Sequence, residues 1–402
     1  MPGKVTVLIC GGGNGAHVMA GVSSSQPNTE ARVLTLYADE AERWTNAMKE
    51  GDFTVSIYEK GSVIQEIKSK PSIVTKDPAK CVPGVDVIAL VVPAFAHQQY
   101  LEAMKPYIKP GMVIVGLPGQ TGFEFSVLGL LGDLARECTV LNYESLPWVS
   151  RMKTFGQEAE ILAQKFGLSG SANAGKIHSP DEANAMLQQC MGKYPVMKLH
   201  GHLLGTSLMD VNAYIHPSIL YGAWHDWDGK PVAVNPLFYQ GLTESTANIL
   251  SGVSDEVVAT AKAISKVKPD MDLSNVCHIY DYYMRCFGDD IEDKTNLWTT
   301  LRTHKGYVGL VHPCKKSEDG KFSPDFTHRY ITEDIPYGLV ALRGIAEIVS
   351  VPTPTMDLLI KWAEKVSGKE YLVDGKTKGK DVCTTRAPQR YGINTVDGLL
   401  SF

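Results

Sequence analysis

Short apolar runs separated by polar, helix-compatible stretches open the chain: Val5 to Cys10, Ala31 to Tyr37, Val85 to Val92, Met112 to Leu117 and Thr139 to Tyr143. Runs that are apolar at successive rather than alternate positions read as strands buried on both faces. Their alternation with helical segments predicts a doubly wound parallel sheet with helices on each side. In the second half the period lengthens to that of helices, as in Leu242 to Val267 and Asp334 to Val349, with few strand-like runs. The expected architecture is therefore an α/β domain over residues 1–202 followed by a mostly α-helical domain over residues 203–402. Two domains also suit a length of 402 residues, which is long for one core. There is no internal repeat, no low-complexity tract and no linker rich enough in Pro, Gly or Ser to hold the halves far apart.

The first run ends in Gly11-Gly12-Gly13-Asn14-Gly15-Ala16-His17, and the helix-compatible stretch Ala16 to Ser25 follows. This is a G-x-G-x-x-A turn in which Gly11 permits the tight bend, Gly13 lets the backbone approach a diphosphate and Ala16 lets the helix pack close to the strand. Asn14 and Gly15 lie in the same turn, where exposed N–H groups and the helix dipole can hold phosphates. A glycine turn made for packing alone is the plainer alternative. In such sheets ligands sit at the carboxyl ends of strands, so Pro93-Ala94-Phe95-Ala96-His97 and Pro118-Gly119-Gln120-Thr121 should face the cofactor crevice. An NAD site ordinarily carries an acid roughly 20 residues past the glycines. Here that place holds Asp39 and Glu40, either of which can serve the ribose or simply cap the helix Glu40 to Ala47. Arg43 sits one turn into that helix and reads as a solvated side chain rather than a 2′-phosphate partner, which favours NAD over NADP.

Composition narrows the partners. Hydrophobic residues make up 44%, charged residues 21%, and the net charge of −5 gives no reason to expect a nucleic-acid surface, so a small substrate is the expected partner. The eight cysteines are scattered without a C-x-x-C pair or zinc-type spacing, which predicts free thiols in a reducing compartment and no metal site. Only six apolar residues precede the glycines, too few for a secretory segment, and no apolar run approaches the ~18 residues of a membrane span. A soluble, cytoplasmic protein is expected.

Two segments of the second half can carry chemistry. His216 stands alone in the apolar stretch Val211 to Leu220, with Asn212 four residues earlier on the same helical face. A histidine so placed is often just a satisfied core residue. In Arg329-Tyr330-Ile331-Thr332-Glu333-Asp334-Ile335-Pro336, Thr332 can cap a helix begun by Pro336, which would make Glu333 and Asp334 ordinary first-turn acids. The sharper reading is that Arg329 and Asp334 bring a carboxylate-binding guanidinium and a histidine-orienting carboxylate to one cleft.

Taken together, the glycine turn, the segment Asn212 to Pro217 and Arg329 to Pro336 resemble the opine dehydrogenases, most closely the octopine dehydrogenase type of marine invertebrates. Tyr143 to Trp148, Gly116 to Gln120 and Lys369 to Gly375 look like further segments of that family, so the resemblance spans nearly the whole chain. It implies a Rossmann domain followed by a helical domain with the active site between them, and NADH-dependent joining of pyruvate to an amine. His216 would then be the acid/base, Asp334 its orienting partner, and Arg329 the holder of a substrate carboxylate. Gln120, Glu144 and Ser145 suit the crevice floor by their strand-end positions and the family likeness, although each can equally satisfy local backbone groups. Asn212 departs from the aromatic residue of the octopine-forming relative, which points away from arginine and toward a small amine such as alanine, glycine, β-alanine or taurine. The family further suggests a monomer that regenerates NAD at the end of anaerobic glycolysis. A two-domain dehydrogenase of 2-hydroxy acids or sugar acids is the nearest rival, and a non-catalytic dinucleotide sensor the rival of another class.

Overall fold

The protein is described by a computed structural model covering residues 3–49, 51 and 53–401. It divides into two compact units, one ending at Thr206 and the other spanning Ser207–Ser401.

In the first unit, strands Val196–Leu199, Gly167–Asn173, Thr139–Tyr143, Val113–Gly116, Val87–Leu90, Val5–Cys10, Thr29–Leu34 and Ile73–Thr75 lie side by side in that order. Val5–Cys10, Val87–Leu90, Val113–Gly116 and Thr139–Tyr143 are buried along their whole length. Each sends successive residues to opposite sides: Val7, Ile9, Val87 and Ala89 enter one core, while Leu8, Cys10, Ile88 and Leu90 enter the other. Two cores on one sheet explain why these strands carry no polar alternation. From Thr139–Tyr143 to Ile73–Thr75 all neighbours are parallel, but Gly167–Asn173 runs antiparallel to Thr139–Tyr143, so the sheet is mixed at that end rather than uniformly parallel.

A second sheet, with order Ser62–Lys68, Thr54–Glu59, Glu158–Gln164 and Trp148–Thr154, was not expected. Its outermost strand Ser62–Lys68 is almost wholly exposed, with Val63 and Ile64 on the surface, so burial leaves no continuous apolar run there. Its central pair joins distant segments in parallel, Ala159 against Val55. The second strand of the main sheet also stops at Leu34 instead of Tyr37, and Tyr37 is left 74% exposed.

The second unit is mostly helical. Its longest helix, Glu244–Val267, is capped by the Thr243 side chain, which accepts from the Thr246 N–H. Glu256, on this otherwise ordinary amphipathic helix, is buried and accepts from the Thr355 and Met356 N–H groups at 2.6 and 2.9 Å. It therefore caps the helix Pro354–Ser367 from outside, a contribution of about 0.5–2 kcal/mol. The eight cysteines are free, four of them buried. Among the described residues no helix is long and apolar enough to cross a membrane.

Candidate active site

The turn after the first strand is built from backbone. Gly11 has φ +127°, and a Cβ there would come within 2.8 Å of Val92 and 2.9 Å of the Val91 carbonyl. A Cβ on Gly13 would meet nothing within 4 Å, and Gly13 precedes the helix Asn14–Ser24 without any side-chain cap. Those two facts leave open space in front of uncapped helical N–H groups, which fits a dinucleotide diphosphate. Gly15 is needed for a different reason: a Cβ would press on Val91 and Leu146 at 3.1 and 3.3 Å. Ala16 is fully buried against the turn. The Asn14 side chain is exposed, and its Oδ1 accepts from the Met152 N–H at 2.9 Å.

The first strand has Thr29–Leu34 on one side and Val87–Leu90 on the other, which makes this turn the point where the chain order reverses. Pro93 and Ala94 begin the helix Ala94–Met104 at the same sheet edge, with Ala94 buried. Gln120 follows the strand Val113–Gly116 in a left-handed conformation, φ +63°, and its carbonyl accepts from Asn142 Nδ2 at 3.2 Å. Glu144 is exposed just past Thr139–Tyr143. Ser145 is half-buried, with its hydroxyl engaged by Lys165. Of the two acids past the second strand, Glu40 turns back to the glycines: Thr35 Oγ1 donates to its carboxylate at 2.5 Å, and a Cβ on Gly12 would collide with it. Asp39 stays exposed, makes no side-chain cap and lies 3.7 Å from Arg43.

In the second unit His216 is buried in the helix Asn212–Trp224. Its Nδ1 donates to Asp334 Oδ2 at 2.7 Å, and its ring stacks on Tyr330 with centroids 3.8 Å apart and planes at 16°. Nε2 lies 3.3 Å from the hydroxyl of Tyr239. Burial pushes the Asp334 carboxyl up, and the bond from His216 works against that shift. Arg329 opens the short helix Arg329–Thr332, whose cap is the His328 side chain. Thr332 closes that helix and caps nothing. A π-helical turn Ile335–Leu339 follows, with Leu339 N–H bonded to the Asp334 carbonyl. Arg329 Nε donates to Glu333 at 2.5 Å; the arginine side chain is 63% exposed and the glutamate 2%. These neighbouring acids thus take different partners, the half-buried Asp334 the histidine and the buried Glu333 the guanidinium. Asn212, one turn before His216, is exposed.

Three residues to which the sequence reading gave no site role belong to these clusters. Tyr239 and Glu333 touch His216 and Arg329, and His17 braces the glycine turn. His17 is fully buried, Nδ1 donates to the Gly13 carbonyl at 3.1 Å, Nε2 accepts from the Gly156 N–H at 3.1 Å, and the ring stacks on Trp44. Burial pushes its imidazole down to about 4. Its adjacency to the glycines was the one available signal; Gly156 is too far along the chain to be paired with it by pattern.

Uncapped helical N–H groups at a switch point, and in the helical unit a histidine–carboxylate pair near a guanidinium, suit a nicotinamide-dependent oxidoreductase. Residues 199–367 match the family model described as NAD/NADP octopine/nopaline dehydrogenase, alpha-helical domain. The chain is 54% identical to tauropine dehydrogenase of Arabella iricolor, covering 98% of this chain and all of that protein, and 51% identical to opine dehydrogenase of Haliotis discus hannai across the full length of both. It superposes on octopine dehydrogenase solved with NADH and L-arginine with a TM-score of 0.95, at 46% identity over 99% of this chain and 98% of that one. The same protein with NADH and pyruvate gives a TM-score of 0.91 at 46% identity, over the same shares of both chains. The chain belongs to the opine dehydrogenase family, and its cofactor is NAD(H).

Proposed function

We propose that this enzyme joins pyruvate to the amino group of a small amino acid or sulfonate amine, giving an N-(1-carboxyethyl) opine, and that it runs reversibly. The observation that carries the reading is the 2.7 Å bond from His216 to Asp334, with Arg329 on the segment that supplies Asp334. Arg329 holds the pyruvate carboxylate through its free Nη edge, since Nε is already bound to Glu333. The amine nitrogen adds to the keto carbon, and the former carbonyl oxygen takes a proton from Nε2 of His216. The proton shed by the added nitrogen returns to Nε2 and is passed to that oxygen, which leaves as water and gives the protonated imine. NADH, when bound, supplies the hydride that reduces the imine carbon. Asp334 stabilises the imidazolium through each proton transfer and fixes which nitrogen works.

Gly11, Gly13, Gly15, Ala16 and the backbone of Asn14 hold the diphosphate, Pro93 and Ala94 line the nicotinamide side, and the exposed Asp39 contacts the adenosine ribose. Gln120, Glu144, Ser145 and Asn212 face the amine. Glu144 suits an ammonium, and neutral Asn212 offers no charge to a guanidinium. Residues 1–202 act as the cofactor domain and 203–402 as the substrate domain of a monomer that works in the cytoplasm, where it regenerates NAD for anaerobic glycolysis. The identity of 54% to a tauropine dehydrogenase favours taurine within the small-amine class. A panel of taurine, glycine, alanine, β-alanine and arginine, assayed with pyruvate and NADH, tests the assignment. NADH oxidation must depend on added amine, with a small amine giving the highest kcat/KM. Oxidation by pyruvate alone would mark a hydroxy-acid enzyme, and a lead for arginine would overturn the small-amine assignment.

A further inference from the structure

His216 has two ring nitrogens, and the acid/base reading uses only one contact, that to Asp334. The other nitrogen, the one that must exchange a proton with substrate, is not open. A carboxylate can only accept, so Nδ1 carries the hydrogen and Nε2 presents its lone pair; the Tyr239 hydroxyl, 3.3 Å away, is then the donor. We propose that Tyr239 is a positioning residue of the acid/base machinery: its hydroxyl holds Nε2 of His216 in the neutral, Nδ1-protonated form and gives that lone pair up when the ring takes a proton. The proposal rests on His216 being the acid/base.

The hydroxyl is held in place by a rigid support. Tyr239 is buried, and its ring stacks on Tyr307 with centroids 3.8 Å apart and planes at 12°. The Tyr307 hydroxyl is bonded to that of Tyr283 at 2.7 Å, and the His304 ring lies against Tyr307 at 4.2 Å. Phe238 packs edge-on to Tyr239 at 5.0 Å and also meets the His216 ring, at 5.9 Å. Stacking on Tyr330 and bonding to Asp334 fix the imidazole from the other elements. Burial pushes the Tyr239 phenol up, so it stays a neutral donor at working pH and does not compete as a base.

A neutral donor on Nε2 stabilises the uncharged imidazole and opposes its protonation. Loss of the oxygen should therefore move the proton equilibrium of this site upward. The other titratable and charged groups around the ring are Asp334, Tyr330 and His328, with Arg329 and Glu333 beside Asp334, and all of them stay in place.

The test is Tyr239→Phe, which keeps the aromatic stack, with Tyr307→Phe as a control that removes a hydroxyl from the same stack without touching His216. The expected result is that the histidine limb of the kcat/KM profile moves up by about half to one pH unit, the worth of one ordinary hydrogen bond, in both reductive and oxidative directions. NADH affinity by fluorescence titration should be unchanged, and Tyr307→Phe should leave the limb in place. A Tyr239→Phe profile superimposing on wild type, or an equal shift in Tyr307→Phe, would overturn the proposal. Nitrogen NMR of the wild-type enzyme adds a readout that needs no variant. A neutral His216 ring protonated at Nδ1, with Nε2 accepting a hydrogen bond, supports the assignment; a neutral ring protonated at Nε2 overturns it. If His216→Gln keeps turnover, the acid/base reading itself fails, which is a different result from an unmoved pH limb in Tyr239→Phe.

Discussion

Each unit of this enzyme holds a buried histidine between an aromatic ring and two hydrogen-bond partners, and the two sets of partners are of opposite kinds. His17 stacks on Trp44 at 3.7 Å, His216 on Tyr330 at 3.8 Å, and the interplanar angles are 11° and 16°. The partners differ. His17 bonds to two backbone groups, the Gly13 carbonyl and the Gly156 N–H, neither of which can offset a positive charge, and burial pushes it down to about 4. His216 bonds to a carboxylate and a phenol, so it can gain a proton without leaving an unpaired charge in a dry site. Burial alone keeps a histidine neutral, whereas a carboxylate beside one offers a partner for its charge.

The largest break in that comparison is His216→Gln. Turnover should fall by 10²-fold or more, in keeping with loss of general acid/base catalysis, while NADH still binds. Steady-state assays with a fluorescence titration check this, and retention of more than about a tenth of wild-type activity would sink the role.

Next in size is Asp334→Asn, which makes His216 resemble His17 by removing its compensating charge. We expect a loss of about 10- to 10²-fold at neutral pH, the worth of a charge-assisted bond. Activity in the reductive direction should partly recover as pH is lowered, because the imidazolium then forms only in more acidic solution. A uniform loss at every pH would show that Asp334 merely packs.

How far these two sites were legible follows from their construction. The glycine turn could be read directly, because its requirements are local: φ +127° at Gly11 and open space at Gly13 concern neighbouring residues of one turn. The central strands were legible for a similar reason, since burial on both faces leaves an unbroken apolar run. His216 and Asp334 lie 118 residues apart, and each has an ordinary explanation when seen alone. Only the family likeness paired them. Tyr239 sits in no helix or strand and matches no motif, so nothing local announced it. The four-stranded sheet escaped because its outer strand is exposed and mixes apolar with charged and polar residues and its central pairing joins distant segments, and with it went the brace from Gly156 to His17.

That brace gives the third prediction. A folded value of about 4 against an ordinary value of 6.5 means that the unfolded chain binds the His17 proton first as pH falls. The stabilisation is fully present above pH 6.5 and is lost as pH falls toward 4, a difference of about 3 kcal/mol at most for this residue. His312 in the helical unit is pushed down to the same region by burial and adds its own loss. His17→Gln should therefore be less stable at neutral pH yet lose less on acidification. Chemical unfolding of both proteins between pH 8 and 4 checks it, and parallel curves would show that His17 is not the group titrating.

The smallest effect is expected where the two acids past the second strand part company. Glu40 is bonded to Thr35 and lies against Gly12, so Glu40→Gln disturbs the turn itself and should cost stability as well as affinity. Asp39 is 62% exposed and lies 3.7 Å from Arg43, and exposed pairs contribute about 0–1 kcal/mol. Asp39→Asn should therefore leave the melting temperature unmoved. If Asp39 holds the ribose, NADH binds a few-fold more weakly, the scale of one hydrogen bond made in water's presence. The paired measurement separates a residue that builds the turn from one that serves only the ligand. An Asp39 variant with unchanged NADH affinity, beside a Glu40 variant that loses it, would hand the ribose to Glu40 and make one carboxylate responsible for both the shape of the glycine turn and its cofactor.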